Sequence, residues 1–121
     1  MFRDENGSAL TSVGRKGLAA LLKDNPTLEA LHVGGATVGP DGAELGDALR
    51  STRSLQELSL CGTKIGPSIG IAVGRLLRSS NGERLTSLNL ADTLLGKEGM
   101  CMLSAALRGH KSLADLDVSY N

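Results

Sequence analysis

The sequence predicts an α/β solenoid: a horseshoe arc with short parallel strands on its concave face and helices on its convex face. Three observations predict it. First, apolar residues at i, i+3 and i+5 recur four times, at Leu28, Leu31 and Val33, at Leu55, Leu58 and Leu60, at Leu85, Leu88 and Leu90, and at Leu113, Leu116 and Val118. Their starts are spaced 27, 30 and 28 residues apart (28 to 55, 55 to 85, 85 to 113). Second, an apolar residue followed by glycine stands five residues beyond each of the first three patterns, at Val38-Gly39, Ile65-Gly66 and Leu95-Gly96, and once earlier at Val13-Gly14. Third, each period closes on a leucine followed by a base, at Leu22-Lys23, Leu49-Arg50, Leu77-Arg78 and Leu107-Arg108. Self-similarity at a fixed period of this length marks a repeat architecture.

The elements follow in order. Residues 1–27 read as a partial unit, entered through Val13-Gly14. Full units cover 28–54, 55–84 and 85–112, and an incomplete one covers 113–121, all in a single domain. Within a unit, Leu58 and Leu60 point to one side of a short strand because side chains alternate. Leu55 enters the same side from the preceding turn. Residues 66–78 then return as a helix with Ile69, Val73, Leu76 and Leu77 on its inner stripe. One unit has too small a core to fold alone, so neighbours must stack and pair their strands in parallel. Neither end shows a polar, atypical capping unit. Leu116 and Val118 would lie on an uncovered last coil, so the domain is expected to be a piece of a longer array, or to have that end covered by a partner.

These residues resemble the leucine-rich repeat family, in particular the long-repeat subclass typified by ribonuclease inhibitor. The resemblance spans residues 13–121. It implies the horseshoe and a protein-binding role, without identifying the partner. The family places Asn, Cys or Thr at the ninth position of the pattern, bonded to backbone groups of the next turn. Ala36, Thr63, Thr93 and Asn121 stand there in this chain. An alanine side chain neither donates nor accepts, so the polar ladder is expected to break at the first full unit.

Composition narrows the function classes. Lys and Arg total 13 and Asp and Glu total 13, so wholesale attraction to nucleic acid or an anionic membrane is not expected. Any electrostatic partner must be read by a local patch. Phe2 and Tyr120 are the only aromatics, and Gly reaches 16, fitting recurrent tight turns rather than one compact core. Cys61 and Cys101 lie 40 residues apart with no CxxC companion, which suggests two reduced, partly buried thiols in an intracellular protein. No stretch is apolar enough to span a bilayer, and the charged start does not read as a signal peptide. Asn6-Gly7-Ser8 forms a sequon without meaning unless the chain is secreted.

Motifs that look chemical resolve into structure. Gly-x-x-Gly at 14–17, 39–42 and 96–99 recurs at the repeat period, so it reads as the turn into each helix rather than a nucleic-acid clamp. Gly96-Lys97 lacks the hydroxyl residue and the first glycine of a P-loop. Asp41, Asp92 and Glu98 suit the positive end of a helix dipole. His32, His110, Cys61 and Cys101 do not converge as metal ligands. No catalytic residue, cofactor, metal or small-molecule substrate is therefore expected.

Three surfaces remain for a protein partner. The outward strand positions and adjoining turns collect His32, Glu57, Ser59, Asn89, Asp92, Asp115, Asp117 and Tyr120 on the concave face, with Ala30, Ser87 and Ala91 beside them. A basic ridge aligns Lys23, Arg50, Arg78 and Arg108, joined by Arg53, Arg84 and Lys111. An apolar outer-helix patch holds Ile71, Cys101 and Met102. The expected function is an intracellular, cytoplasmic interaction or scaffold module within a larger complex, with a cytoskeletal or other large assembly admitted. An enzyme-regulating module of the GTPase-activating or inhibitor type and a fragment of an innate-immune sensor are the alternatives.

Overall fold

The computed structural model describes residues 2–3, 9–10, 27–32, 46 and 49–121. Its strands are β1 (Phe2–Arg3), β2 (Ala9–Leu10), β3 (Ala30–His32), β4 (Glu57–Ser59), β5 (Ser87–Asn89) and β6 (Asp115–Asp117). Two helices are described, α1 (Ser68–Arg78) after β4 and α2 (Gly96–Leu107) after β5, with a 3-10 turn at Ser80–Gly82. The fold is mixed α/β with parallel strands. β3, β4, β5 and β6 lie side by side in parallel, with Leu31, Leu58, Leu88 and Leu116 in one register row. That row is the repeating leucine of the sequence, and its first three members are buried.

The core is one layer between the strands and the helices. Leu55, Leu58 and Leu60 meet Ile69, Val73, Leu76 and Leu77 of α1, and Leu85, Leu88 and Leu90 meet Leu95, Leu103 and Ala106. Burial on one side of each short strand and one stripe of each helix is the outcome that the two apolar periods encode. The helix after β4 starts at Ser68, two residues beyond the expected Gly66, because Gly66 is left-handed at φ 105° and Pro67 occupies the capping position.

One expectation is corrected at the N-terminal edge. β1 pairs antiparallel with both β2 and β3, giving the sheet order β2-β1-β3-β4-β5-β6. A hairpin therefore caps the edge of β3, where the sequence shows no cap. Two-residue strands are too short to display any period, and edge closure of this kind limits stray pairing. The turn at Val13-Gly14 and the rest of the partial unit lie outside the described residues.

Contacts beyond the strands join the successive loops. Gly62 N–H donates to the Ala91 carbonyl at 3.0 Å, Gly66 N–H to Thr93 at 2.9 Å and Asp92 N–H to Ser119 at 2.9 Å. At the ninth position, the Thr63 and Thr93 hydroxyls donate to their own Leu60 and Leu90 carbonyls at 2.7 and 2.9 Å. Between loops, the Thr93 hydroxyl also lies 3.2 Å from Asn121 Oδ1, and Asn121 makes the most such bonds among the described ninth positions. Its Oδ1 accepts from Leu95 N–H at 2.9 Å and Thr93 N–H at 3.2 Å, and its Nδ2 donates to Leu90 O at 2.7 Å. The asparagine thus ties to the preceding loop. Ala36, the expected break in this ladder, lies outside the described residues.

Candidate functional site

Parallel pairing places the outward strand residues in two rows. One reads Ala30, Glu57, Ser87 and Asp115, and the other reads His32, Ser59, Asn89 and Asp117. Neighbouring strands lie about 4.8 Å apart, so side chains in a row are within reach of one partner segment. Six of the eight sequence-selected residues are thereby brought together on one sheet face. The other two, Asp92 and Tyr120, sit in the turns that follow β5 and β6, both left-handed at φ 53° and 59°. Ala91, expected to face outward, is buried instead. It has left the strand, so the period-2 alternation no longer applies there.

Several of these polar groups are already engaged. His32 Nε2 lies 3.4 Å from Glu57 Oε2 on the adjacent strand. Lys64 Nζ donates to Asp92 Oδ1 at 2.8 Å, which assigns Asp92 to a link between loops rather than to the helix dipole. Asn89 Oδ1 accepts from Ala91 N–H at 3.0 Å. Asp117 Oδ1 accepts from the Ser119 hydroxyl at 2.6 Å and from Ser119 N–H at 2.9 Å. The equivalent residues Asn89 and Asp117 therefore both shape the turn after their strand. Among the described residues, Glu57 is tied only to His32, and Ser59 and Asp115 have no side-chain partner.

The Ser119 hydroxyl, then the Ser119 N–H, hold the Asp117 carboxyl below the usual aspartate range. A depressed folded-state value adds stability above the unfolded value of about 3.9 and loses it as pH falls through the folded value. Asp117→Asn, which cannot titrate, is expected to differ from the parent in urea midpoint near neutral pH. That difference should shrink in acid. Urea titrations at a series of pH values check it, and a difference independent of pH refutes it.

The other two surfaces are placed as follows. Arg78 is the last residue of α1 and Arg108 directly follows α2, both exposed. Arg50 is exposed and its carbonyl accepts from Asn81 Nδ2 at 2.9 Å. Lys23 lies outside the described residues. Ile71 on α1 and Met102 on α2 are 41% and 40% exposed, and Cys101 is exposed beside them. Cys61 is exposed as well, so neither thiol is partly buried as expected. Cys61 lies just past β4 with its side chain off the core row, and Cys101 is on the outer side of α2.

Sequence reasoning missed the bridges between consecutive helix-to-strand connections. His110 Nε2 lies 2.8 Å from the Gly82 carbonyl, while its Nδ1 accepts from Leu113 N–H at 3.2 Å. The acceptor role of Nδ1 assigns the proton to Nε2, which donates to Gly82. Asn81 plays the matching role one unit earlier, toward Arg50. The one signal available was separation: Asn81 to Arg50 spans 31 residues and His110 to Gly82 spans 28, about one repeat period each. Among the described residues, no group of three or more His, Cys, Asp or Glu side chains is arranged to hold a metal ion. No described helix is long and apolar enough to cross a membrane.

Comparison with known proteins adds three findings. Residues 24–45 match the family model described as Leucine Rich repeat. No curated protein matches the chain. Among solved structures, the chain is similar to the tropomodulin C-terminal domain of Caenorhabditis elegans, with a TM-score of 0.55, 14% sequence identity, and coverage of 89% of this chain and 84% of that chain. At that identity the likeness concerns the fold alone. The chain carries a leucine-rich repeat at residues 24–45, set in a mixed α/β fold of parallel strands.

Proposed function

We propose that this chain is a non-catalytic protein-protein interaction or scaffold module, a ribonuclease-inhibitor-like arc within a larger intracellular complex. The carrying observation is the pair of outward rows on β3 to β6, which present side chains from four parallel strands as one surface. Such a surface recognises a partner by shape and hydrogen bonding, since aromatic anchors are missing apart from Tyr120. Two exposed free thiols fit a reducing compartment. The likeness to the tropomodulin C-terminal domain supports the fold on which this reading depends, and leaves the partner open.

A photo-reactive side chain at Ser59 or Ser87, compared with one at exposed Ser104 on α2, tests the face. A partner that cross-links from the two strand positions, not from Ser104, and is lost in Glu57→Lys/Asp115→Lys, is the expected result. Cross-linking from Ser104 alone, or capture unaffected by the double reversal, overturns the strand-face assignment.

A further inference from the structure

Two ion pairs join described side chains, Lys64–Asp92 and His32–Glu57, and both lie on the strand side, at 2.8 and 3.4 Å. On the opposite edge, where each helix hands over to the next strand, Arg78, Arg84, Arg108 and Lys111 are all exposed. None of these four makes an ion pair or side-chain hydrogen bond among the described residues. Glu83 is the only carboxylate in the connections 79–86 and 108–114.

Complementing the helix dipoles does not account for this edge. The C-termini of α1 and α2 supply roughly half a negative charge each, about −1 together. Four unpaired bases against that and Glu83 leave a net charge of about +2. Arg84 and Lys111 also stand beyond the helix ends, where the dipole effect has faded. Between the two connections runs a groove of about 390 Å³, lined by Arg78, Ser80, Glu83, His110, Lys111 and Ser112 among others. His110 braces it, bonded at 2.8 Å to Gly82 on one connection and at 3.2 Å to Leu113 on its own. The bases are thus mounted on two loops held at a fixed separation.

We propose that this groove binds an acidic peptide segment of a partner protein. Partner carboxylates pair with Arg78 and Lys111, and the Ser80 and Ser112 hydroxyls donate to its oxygens. Glu83 accepts from a peptide N–H, a donor that a phosphodiester backbone lacks. No Phe, Tyr or Trp lines the groove, and its one ring, His110, is committed at both nitrogens to Gly82 and Leu113, which disfavours a single-stranded nucleic acid. The site is distinct from the strand face and does not depend on that face binding anything.

Fluorescence anisotropy with a labelled oligoglutamate peptide tests the proposal. The parent chain is expected to bind, more weakly as salt rises from about 50 to about 300 mM. Arg78→Glu and Lys111→Glu should each weaken binding about tenfold, and Arg78→Gln less in the same direction. Lys97→Glu makes the same charge change at the exposed start of α2 and should cost less than about threefold. All of these side chains are exposed, and circular dichroism verifies that the variants fold. The proposal is overturned if the parent does not bind, if Lys97→Glu costs as much as Lys111→Glu, or if an oligothymidylate of equal charge binds more tightly than the peptide.

Discussion

Gly70→Ala is expected to destabilise the fold by about 1–3 kcal/mol, although alanine is the better helix former by about 1 kcal/mol. The reason is the seam between α1 and α2. A Cβ built on Gly70 would lie 2.4 Å from the Gly99 carbonyl oxygen, 2.7 Å from Gly99 Cα and 2.9 Å from Gly99 C. These are backbone atoms of the neighbouring helix and cannot rotate away, so the helices must part and lose packing along their length. One turn on, Gly74 gives the opposite sign. A Cβ there would meet Met102 O at 3.5 Å and Ala106 Cβ at 3.6 Å, ordinary contact distances. Gly74→Ala should therefore raise stability by up to about 1 kcal/mol through helix propensity. Urea unfolding of the two variants decides the matter. If Gly70→Ala gains stability as Gly74→Ala does, the helices do not touch at Gly70.

That seam illustrates what could be read from the chain and what could not. Leucines at i, i+3 and i+5 are a direct trace of strand alternation followed by a turn, so the parallel row of Leu31, Leu58, Leu88 and Leu116 was legible. The inner stripe Ile69, Val73, Leu76 and Leu77 was legible for the same reason, through its helical period. Gly70 and Gly74 look alike in sequence, because glycine records freedom of approach and not what approaches. The N-terminal hairpin left no period to detect. The outward strand rows followed from alternation alone, which located six of the eight selected residues but failed at Ala91, where the strand has ended. Their engagement was not legible: the Lys64–Asp92 and Asn121–Thr93 links each join residues 28 apart, and they depend on how adjacent loops are set against each other. The basic edge was half legible. Leucine-base endings located Arg78 and Arg108, but the bracing of the groove by His110 needed coordinates.

Leu88→Ala is expected to cost about 2–5 kcal/mol, a large fraction of the ~5–15 kcal/mol that holds a domain together. Leu88 is 1% exposed at the centre of the parallel row, between Leu58 and Leu116, and belongs to the cluster shared by both helices. Truncation there opens a cavity that two flanking strands line, and neither can collapse without breaking its ladder. Leu94, six residues later, supplies the control. It is 54% exposed and held left-handed at φ 59°. That conformation costs a non-glycine residue roughly 1–2 kcal/mol, against about 0.5–1 kcal/mol of extra chain entropy for glycine. Leu94→Gly should thus leave stability unchanged or raise it by up to about 1 kcal/mol. Two leucines in one unit then have opposite worth, one as the element that joins neighbouring strands and the other as a strained turn residue. Thermal and urea unfolding of the pair measure the difference. Equal losses at both positions would mean that the leucine row does not carry the stack.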